Sequence, residues 1–254
     1  MIFETHAHYD DEAFAEDREG LLKELPESGI GRVVNVGASP ASCRTTVELM
    51  EKYDFVYGAL GIHPSETASL TEALFSELKE QCRHKKCVAV GEIGLDYYWQ
   101  EPEREIQRKW FVRQLQLARE LHLPVVIHSR DAAMDTVEIM KAAHAEEIGG
   151  VIHCFSYTKE TAETFLKMGF YIGIGGVITF KNARKLKEAV KFIPIERLVV
   201  ETDSPYLAPD PYRGKRNDSA KLPLVINEIA RIKQLLPQEV ENITWKNAHA
   251  LYRM

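Results

Sequence analysis

Short runs of apolar, largely β-branched residues alternate along this chain with longer segments whose apolar positions recur at helical spacing. The runs predict eight strands, at Ile2–His6, Arg32–Val36, Val56–Gly61, Cys87–Ile93, Pro124–His128, Gly150–Phe155, Tyr171–Gly175 and Arg197–Thr202. Between the fourth and fifth, Glu103–His122 carries Ile106, Trp110, Leu117 and Leu121 on one stripe, with Phe111, Leu115 and Ala118 beside it. Further helices are expected over Asp11–Leu25, Ala41–Lys52, Thr71–His84, Asp131–His144, Thr158–Lys167 and Asn182–Phe192. Ser219–Leu236 and Pro237–Tyr252 follow the last strand. Gly169 and Pro237 punctuate the pattern at helix ends.

Strict β–α alternation predicts a parallel sheet covered by helices. Eight such units in 254 residues fit a closed (β/α)8 TIM barrel better than an open doubly wound sheet, which topology alone leaves open. There is no glycine-rich dinucleotide fingerprint, P-loop or low-complexity tract, so one domain spanning 1–254 is the expectation.

Composition changes this picture little. Hydrophobic residues make up 45% and charged residues 28%, enough for a substantial core. The net charge of −6 argues against a general nucleic-acid coat, so any phosphate binding is expected to be local. Cys82 and Cys87 lie close together but have no partnered second pair, which argues against a structural zinc finger. Few cysteines in a large chain read as reduced thiols of a cytoplasmic protein. No signal-peptide pattern or membrane-length apolar stretch appears.

The chemistry gathers at the strand ends. His6 and His8 end the first predicted strand, Glu92 the fourth, His128 the fifth, His153 the sixth and Asp203 the eighth. In a barrel these ends converge at one mouth. His6 and His8, two apart, face one side of a strand and suit chelation, whereas an isolated pair reads equally as solvent-facing polar residues. A carboxylate closing the apolar run before Glu92 needs a cation or a basic partner. A lone histidine such as His128 or His153 is usually a hydrogen-bonded core residue; two on adjacent strands beside Glu92 reverse that reading. Glu201 competes with Asp203 because the two share strand parity, and Asp203 is favoured as nearer the mouth. Four histidines and two carboxylates suit two divalent ions of zinc, manganese, iron or cobalt, with magnesium supporting activity.

At these residues the chain resembles the TatD family of metal-dependent deoxyribonucleases, within the amidohydrolase-like barrels. The motifs carrying the resemblance run from Thr5-His6-Ala7-His8-Tyr9-Asp10 through Gly61-Ile62-His63-Pro64 and Gly91-Glu92-Ile93-Gly94-Leu95-Asp96-Tyr97. They continue with Val126-Ile127-His128-Ser129-Arg130, His153-Cys154-Phe155-Ser156, Glu201-Thr202-Asp203-Ser204-Pro205-Tyr206-Leu207 and Tyr212-Arg213-Gly214-Lys215-Arg216-Asn217. The resemblance implies that His6 and His8 hold one ion, His128 and His153 the other, with Glu92 between them and Asp203 beside the first ion and the attacking water. It also implies a 3′ to 5′ exonuclease on single-stranded DNA. Departures are Glu4 for a common aspartate, Tyr157 for a glycine, and Asp218-Ser219 for Glu-Pro.

Further expectations attach to single residues. Asp203 is expected to act as general base and His63 to contact the scissile phosphate or protonate the leaving oxygen. Arg213, Lys215 and Arg216 form a basic cluster suited to backbone phosphates, or a solvated loop. Tyr97 and Trp99 are candidates for stacking on bases, or for packing, and Arg130 for contacting substrate. Two rival readings stand beside the nuclease: hydrolysis of an amide or ester, such as an aminoacylated RNA, and a non-catalytic barrel that binds metal or a partner. A monomer is the simplest assembly.

Overall fold

The computed structural model describes residues 1–254 and contains eight strands in one parallel sheet, in the order β1 to β8. The strands are β1 (Ile2–Ala7), β2 (Ile30–Val36), β3 (Val56–Leu60), β4 (Cys87–Asp96), β5 (Val125–Arg130), β6 (Gly150–Ile152), β7 (Tyr171–Ile174) and β8 (Leu198–Val200). The residues after β8 bring the sheet back to β1: Asp203 N–H donates to His6 O at 3.0 Å, and His8 N–H to Ser204 O at 2.8 Å. The fold is a (β/α)8 barrel.

Nine helices surround it: α1 (Arg18–Glu24), α2 (Pro40–Lys52), α3 (Glu72–Gln81), α4 (Arg104–Leu121), α5 (Ala133–Ala142), α6 (Lys159–Lys167), α7 (Arg184–Phe192), α8 (Leu222–Lys233) and α9 (Pro237–Tyr252). The helix expected over Asp11–Leu25 is broken. Asp11 instead caps a short 3-10 turn, and Arg18 donates to the carbonyls of Tyr9, Asp10 and Asp11, which holds the chain after β1 as a loop. On α2, Pro40 at the first turn and the Ser39 side chain accepting from Ser42 N–H fix the start.

Strand alternation splits the core into two. Ile2, Val33, Val125, Ile127, Ile152, Leu198 and Val200 pack outward against the helices. Phe3, Val34, Val126, Val151 and Val199 fill the barrel interior together with Ala248, Leu251 and Tyr252 from the end of α9. His128, His153 and Glu201 share parity with Val126, Val151 and Val199, which directs them toward the barrel axis. In β4 the register against β5 shifts between Val90 and Ile93. Both of these residues lie in the outward core, so the irregularity turns Glu92 inward where uninterrupted alternation would turn it out.

Candidate metal centre

Glu92 does not end its strand, as the sequence pattern suggests, but sits inside β4, which runs on to Asp96. His128 likewise lies within β5, whereas His8 and His153 fall just beyond β1 and β6. Asp203 comes three residues after β8, in a left-handed conformation with φ of 57°. That turn separates it from Glu201, and strand parity no longer relates the two.

The six proposed ligands converge. Glu92 Oε2 lies 3.5 Å from His6 Nε2 and 3.7 Å from His8 Nε2. Its other oxygen, Oε1, lies 2.7 Å from His128 Nδ1 and 2.6 Å from His153 Nε2. Asp203 Oδ1 sits 3.3 Å from His8 Nε2 and 3.6 Å from His6 Nε2. One carboxylate therefore faces two histidine pairs, one through each oxygen. Within the pairs the ring nitrogens approach to 3.1 Å (His6 and His8) and 3.2 Å (His128 and His153). Ligand bonds of about 2.1 Å make donor-to-donor edges of about 3.0–3.5 Å, so this crowding of lone pairs fits divalent ions.

The charge balance agrees with cation binding. Burial alone would push the Glu92 carboxyl up, yet the charges of His153 and His63 and hydrogen bonds from His128 and His153 hold it well below the usual carboxylate range. Burial acts the same way on Asp203, and it too is held down, by His8, His153 and His6. Burial pushes the Glu201 carboxyl up, opposed by the charge of His153 and by the Cys154 N–H it accepts.

Other groups orient the proposed ligands. His8 Nδ1 lies 2.7 Å from Val36 O, and His128 Nε2 lies 3.1 Å from Asp96 Oδ2. Such outer hydrogen bonds set the ring orientation of metal-binding histidines. Asp96 was missed as a functional residue on sequence, although its separation of four from Glu92 along one strand was the available signal. Two buried glutamines on α4 were missed as well. Gln107 takes Asp96 N–H at 2.9 Å and donates to Asp96 O at 3.0 Å. Gln114 does the same for Ile62, at 2.7 and 3.1 Å, beside His63. Buried amides on a helix face otherwise apolar carried a signal for this bracing.

The centre lies in a cavity of about 870 Å³ lined by His8, His63, Glu92, Asp96, His128, His153 and Asp203. Trp99, Arg130, Tyr206 and Leu207 line it too. Trp99 and Tyr206 are more than half exposed, while the Arg130 guanidinium lies 3.8 Å from the centre of the Tyr98 ring. His63 Nε2 lies 3.7 Å from Glu92 Oε1, and its Nδ1 accepts from Ser65 N–H at 3.2 Å.

The remaining expected substrate residues are placed differently. Arg213 and Lys215 line a separate groove that shares Tyr206 and Leu207 with the metal cavity. Arg213 packs over the Phe180 ring at 4.3 Å. Arg216 is ion-paired to Asp17, and Tyr97 donates its hydroxyl to Asp135 at 2.7 Å beneath Arg104.

Among the sequence departures, Glu4 and Ser219 meet: Ser219 Oγ donates to Glu4 Oε2 at 2.9 Å, and Thr202 Oγ1 to the same oxygen at 2.7 Å. Tyr157 places its hydroxyl 3.0 Å from Ser129 Oγ. None of these contacts reaches an ion ligand's donor atom.

A barrel whose mouth collects four histidines and two carboxylates around shared points defines a metal-dependent hydrolase. The family model described as TatD related DNase matches residues 3–253, and the chain belongs to the TatD family. It is 42% identical over the full length of both chains to YabD of Bacillus subtilis, described as an uncharacterized metal-dependent hydrolase. It is 33% identical to another protein so described, YcfH of Escherichia coli K12, with all of this chain and 96% of the relative covered. The crystal structure of YjjV, a TatD homologue from Escherichia coli K12, superimposes with a TM-score of 0.94 at 29% identity, covering 100% of this chain and 98% of that one.

Helices here give no membrane span: none is long and apolar enough to cross a bilayer.

Proposed function

We propose that the chain is a phosphodiester hydrolase that removes nucleotides from the 3′ end of single-stranded DNA, with two divalent ions bound by the centre above. The observation carrying the reading is the division of Glu92, whose two oxygens face different histidine pairs. His6, His8, Glu92 and Asp203 would hold one ion, and Glu92, His128 and His153 the other. The mixed nitrogen and oxygen donors favour zinc, manganese, iron or cobalt, with magnesium able to support turnover. Such ions supply positive charge that makes water more acidic and offsets charge on the phosphate.

The chain's own residues do the rest. Asp203, at the mouth edge of the ligand set, orients the attacking water and accepts its proton. His63 Nδ1 is occupied by Ser65 N–H, so the neutral ring carries its proton on Nε2. That proton donates a hydrogen bond to a phosphate oxygen. Trp99 offers an exposed face to an unpaired base, and Arg130 a cation at the rim. Arg213 and Lys215 carry the backbone along the adjoining groove, with Tyr97 and Arg216 supporting these surfaces through Asp135 and Asp17. The family description as a DNase supports the choice of substrate. We further propose one domain acting as a monomer in the cytoplasm.

The test is cleavage of end-labelled single-stranded DNA by metal-stripped protein, with manganese, magnesium or zinc restored and Asp203→Asn alongside. Stepwise shortening from the 3′ end that requires metal and vanishes in the variant supports the assignment. Cleavage of esters or aminoacyl-RNA, with DNA left intact by the metal-loaded protein, replaces it with carbonyl hydrolysis.

A further inference from the structure

Behind the ion ligands lies a buried carboxylate with no role in the mechanism above. Glu201 is fully buried, and its Oε1 accepts from Cys154 N–H while Oε2 has no partner. Two other buried polar atoms nearby also lack partners, Nδ1 of His6 and Nδ1 of His153. His153 Nδ1 is 3.8 Å from Glu201 Oε1, and His6, His153 and Glu201 each offer a donor atom within 4.8 Å of the others. The two imidazoles stack face to face, with ring centres 4.0 Å apart and planes 10° from parallel. Three unsatisfied polar atoms concentrated in one buried place are costly unless function requires them.

The ring chemistry supplies the requirement. His6 and His153 both direct Nε2 toward Glu92. A histidine that gives the lone pair of Nε2 to a cation carries its proton on Nδ1, which must then find an acceptor. For His8 that acceptor is Val36 O, whereas the outward nitrogen of His128 has Asp96. For His153 the carboxylate beside that nitrogen is Glu201, at 3.8 Å, and His6 offers a ring nitrogen within 4.8 Å of the same group.

We infer that Glu201 is a positioning residue shared by the two ion sites, its carboxylate accepting the Nδ1 protons of His153 from one pair and His6 from the other. Space for this carboxylate is reserved by Gly173, where a Cβ would lie 2.3 Å from Oε2. One buried side chain thereby couples the sites, since loading either ion fixes a proton against the same carboxylate. The inference rests on the two-ion reading above but not on its substrate.

The test is titration of metal-stripped wild type and Glu201→Gln with zinc, by calorimetry against a competing chelator, with circular dichroism to establish folding. Glutamine keeps the shape and removes the charge. A folded variant that still takes two ions, each bound about 10–100-fold more weakly, supports the inference. Wild-type affinity at both sites overturns it, as does a third ion in wild type that the variant loses, which would make Glu201 a ligand instead. Should Glu201→Gln not fold, nitrogen-15 spectra of the zinc-loaded wild type decide: exchange-protected Nδ1 protons on His6 and His153 support the role, and their absence overturns it. A loss of DNA cleavage with ion binding unchanged would strike the nuclease reading and leave this one untouched by that result, because ion affinity is its measure.

Discussion

Asp96 Oδ2 lies 3.1 Å from Nε2 of His128, on the side of the ring opposite the nitrogen that faces Glu92. The same carboxylate accepts Tyr98 N–H through Oδ1 at 3.0 Å. One residue thus orients a proposed ion ligand and anchors the start of the loop that carries Trp99. Asp96→Asn is expected to weaken the ion held by His128 and His153 by about 10–100-fold and to leave the His6 and His8 ion nearly unchanged. Stepwise zinc titration separates the two, and equal weakening of both would show that Asp96 acts on the whole mouth instead.

His63 makes a different prediction. Its Nδ1 is committed to the Ser65 hydroxyl and amide, and it holds no ion in the proposed scheme. His63→Ala is expected to stay folded and keep both ions, with a small drop in melting temperature from the lost cap, while kcat on single-stranded DNA falls about 10²-fold, the cost of losing one preorganised donor. Unchanged kcat with metal content intact would remove His63 from the chemistry.

Binding along the two surfaces should separate by salt. Trp99→Ala removes a stacking face worth about 1–3 kcal/mol per base, so Kd for single-stranded DNA rises at all salt concentrations. Replacing Arg213 and Lys215 with alanine should weaken binding at low salt and flatten its salt dependence, because fewer counterions are released. Fluorescence anisotropy over a salt series reads both. A Trp99→Ala effect that disappears at high salt would contradict stacking.

Acid stability depends in part on Glu228. Hydrogen bonding from Arg231, together with Lys187 and against the opposing effect of burial, brings its carboxyl down to about 2. A folded value below the unfolded one stabilises the protein above about pH 4.5, and that contribution is lost as pH falls toward 2. Glu228 is partly solvated, so the effect is about 1 kcal/mol or less. The melting temperature of Glu228→Gln should fall below wild type at pH 6, with the gap narrowing by pH 3. A gap that does not change with pH would assign the loss to packing.

The alternation of β-branched runs with amphipathic stretches was sufficient for the barrel, because each run is buried on both faces and each helix on one. All eight strands and eight of the nine helices appear near their expected places. The helix over Asp11–Leu25 is the exception, for Arg18 and Asp11 hold its first part in a loop through hydrogen bonds that periodicity does not record. His6, His8, His128 and His153 stood out in the sequence only together: each alone reads as a polar or hydrogen-bonded core residue, whereas on several strand ends beside Glu92 they point to one mouth.

Tertiary structure alone decided where those residues are placed. The inward turn of Glu92 depends on an irregularity in β4, and the separation of Asp203 from Glu201 on the left-handed turn after β8. Parity in the sequence assumes an unbroken strand, so it cannot register either change. The supporting roles of Asp96, Gln107, Gln114 and Glu201 are also tertiary, since each is defined by a partner on another element. A sequence states which side chains are available and which face of a regular element they occupy. Whether a buried carboxylate meets an ion, a ring nitrogen or a backbone amide is set by distances of a few tenths of an ångström between elements far apart in the chain, and those distances exist only in the folded barrel.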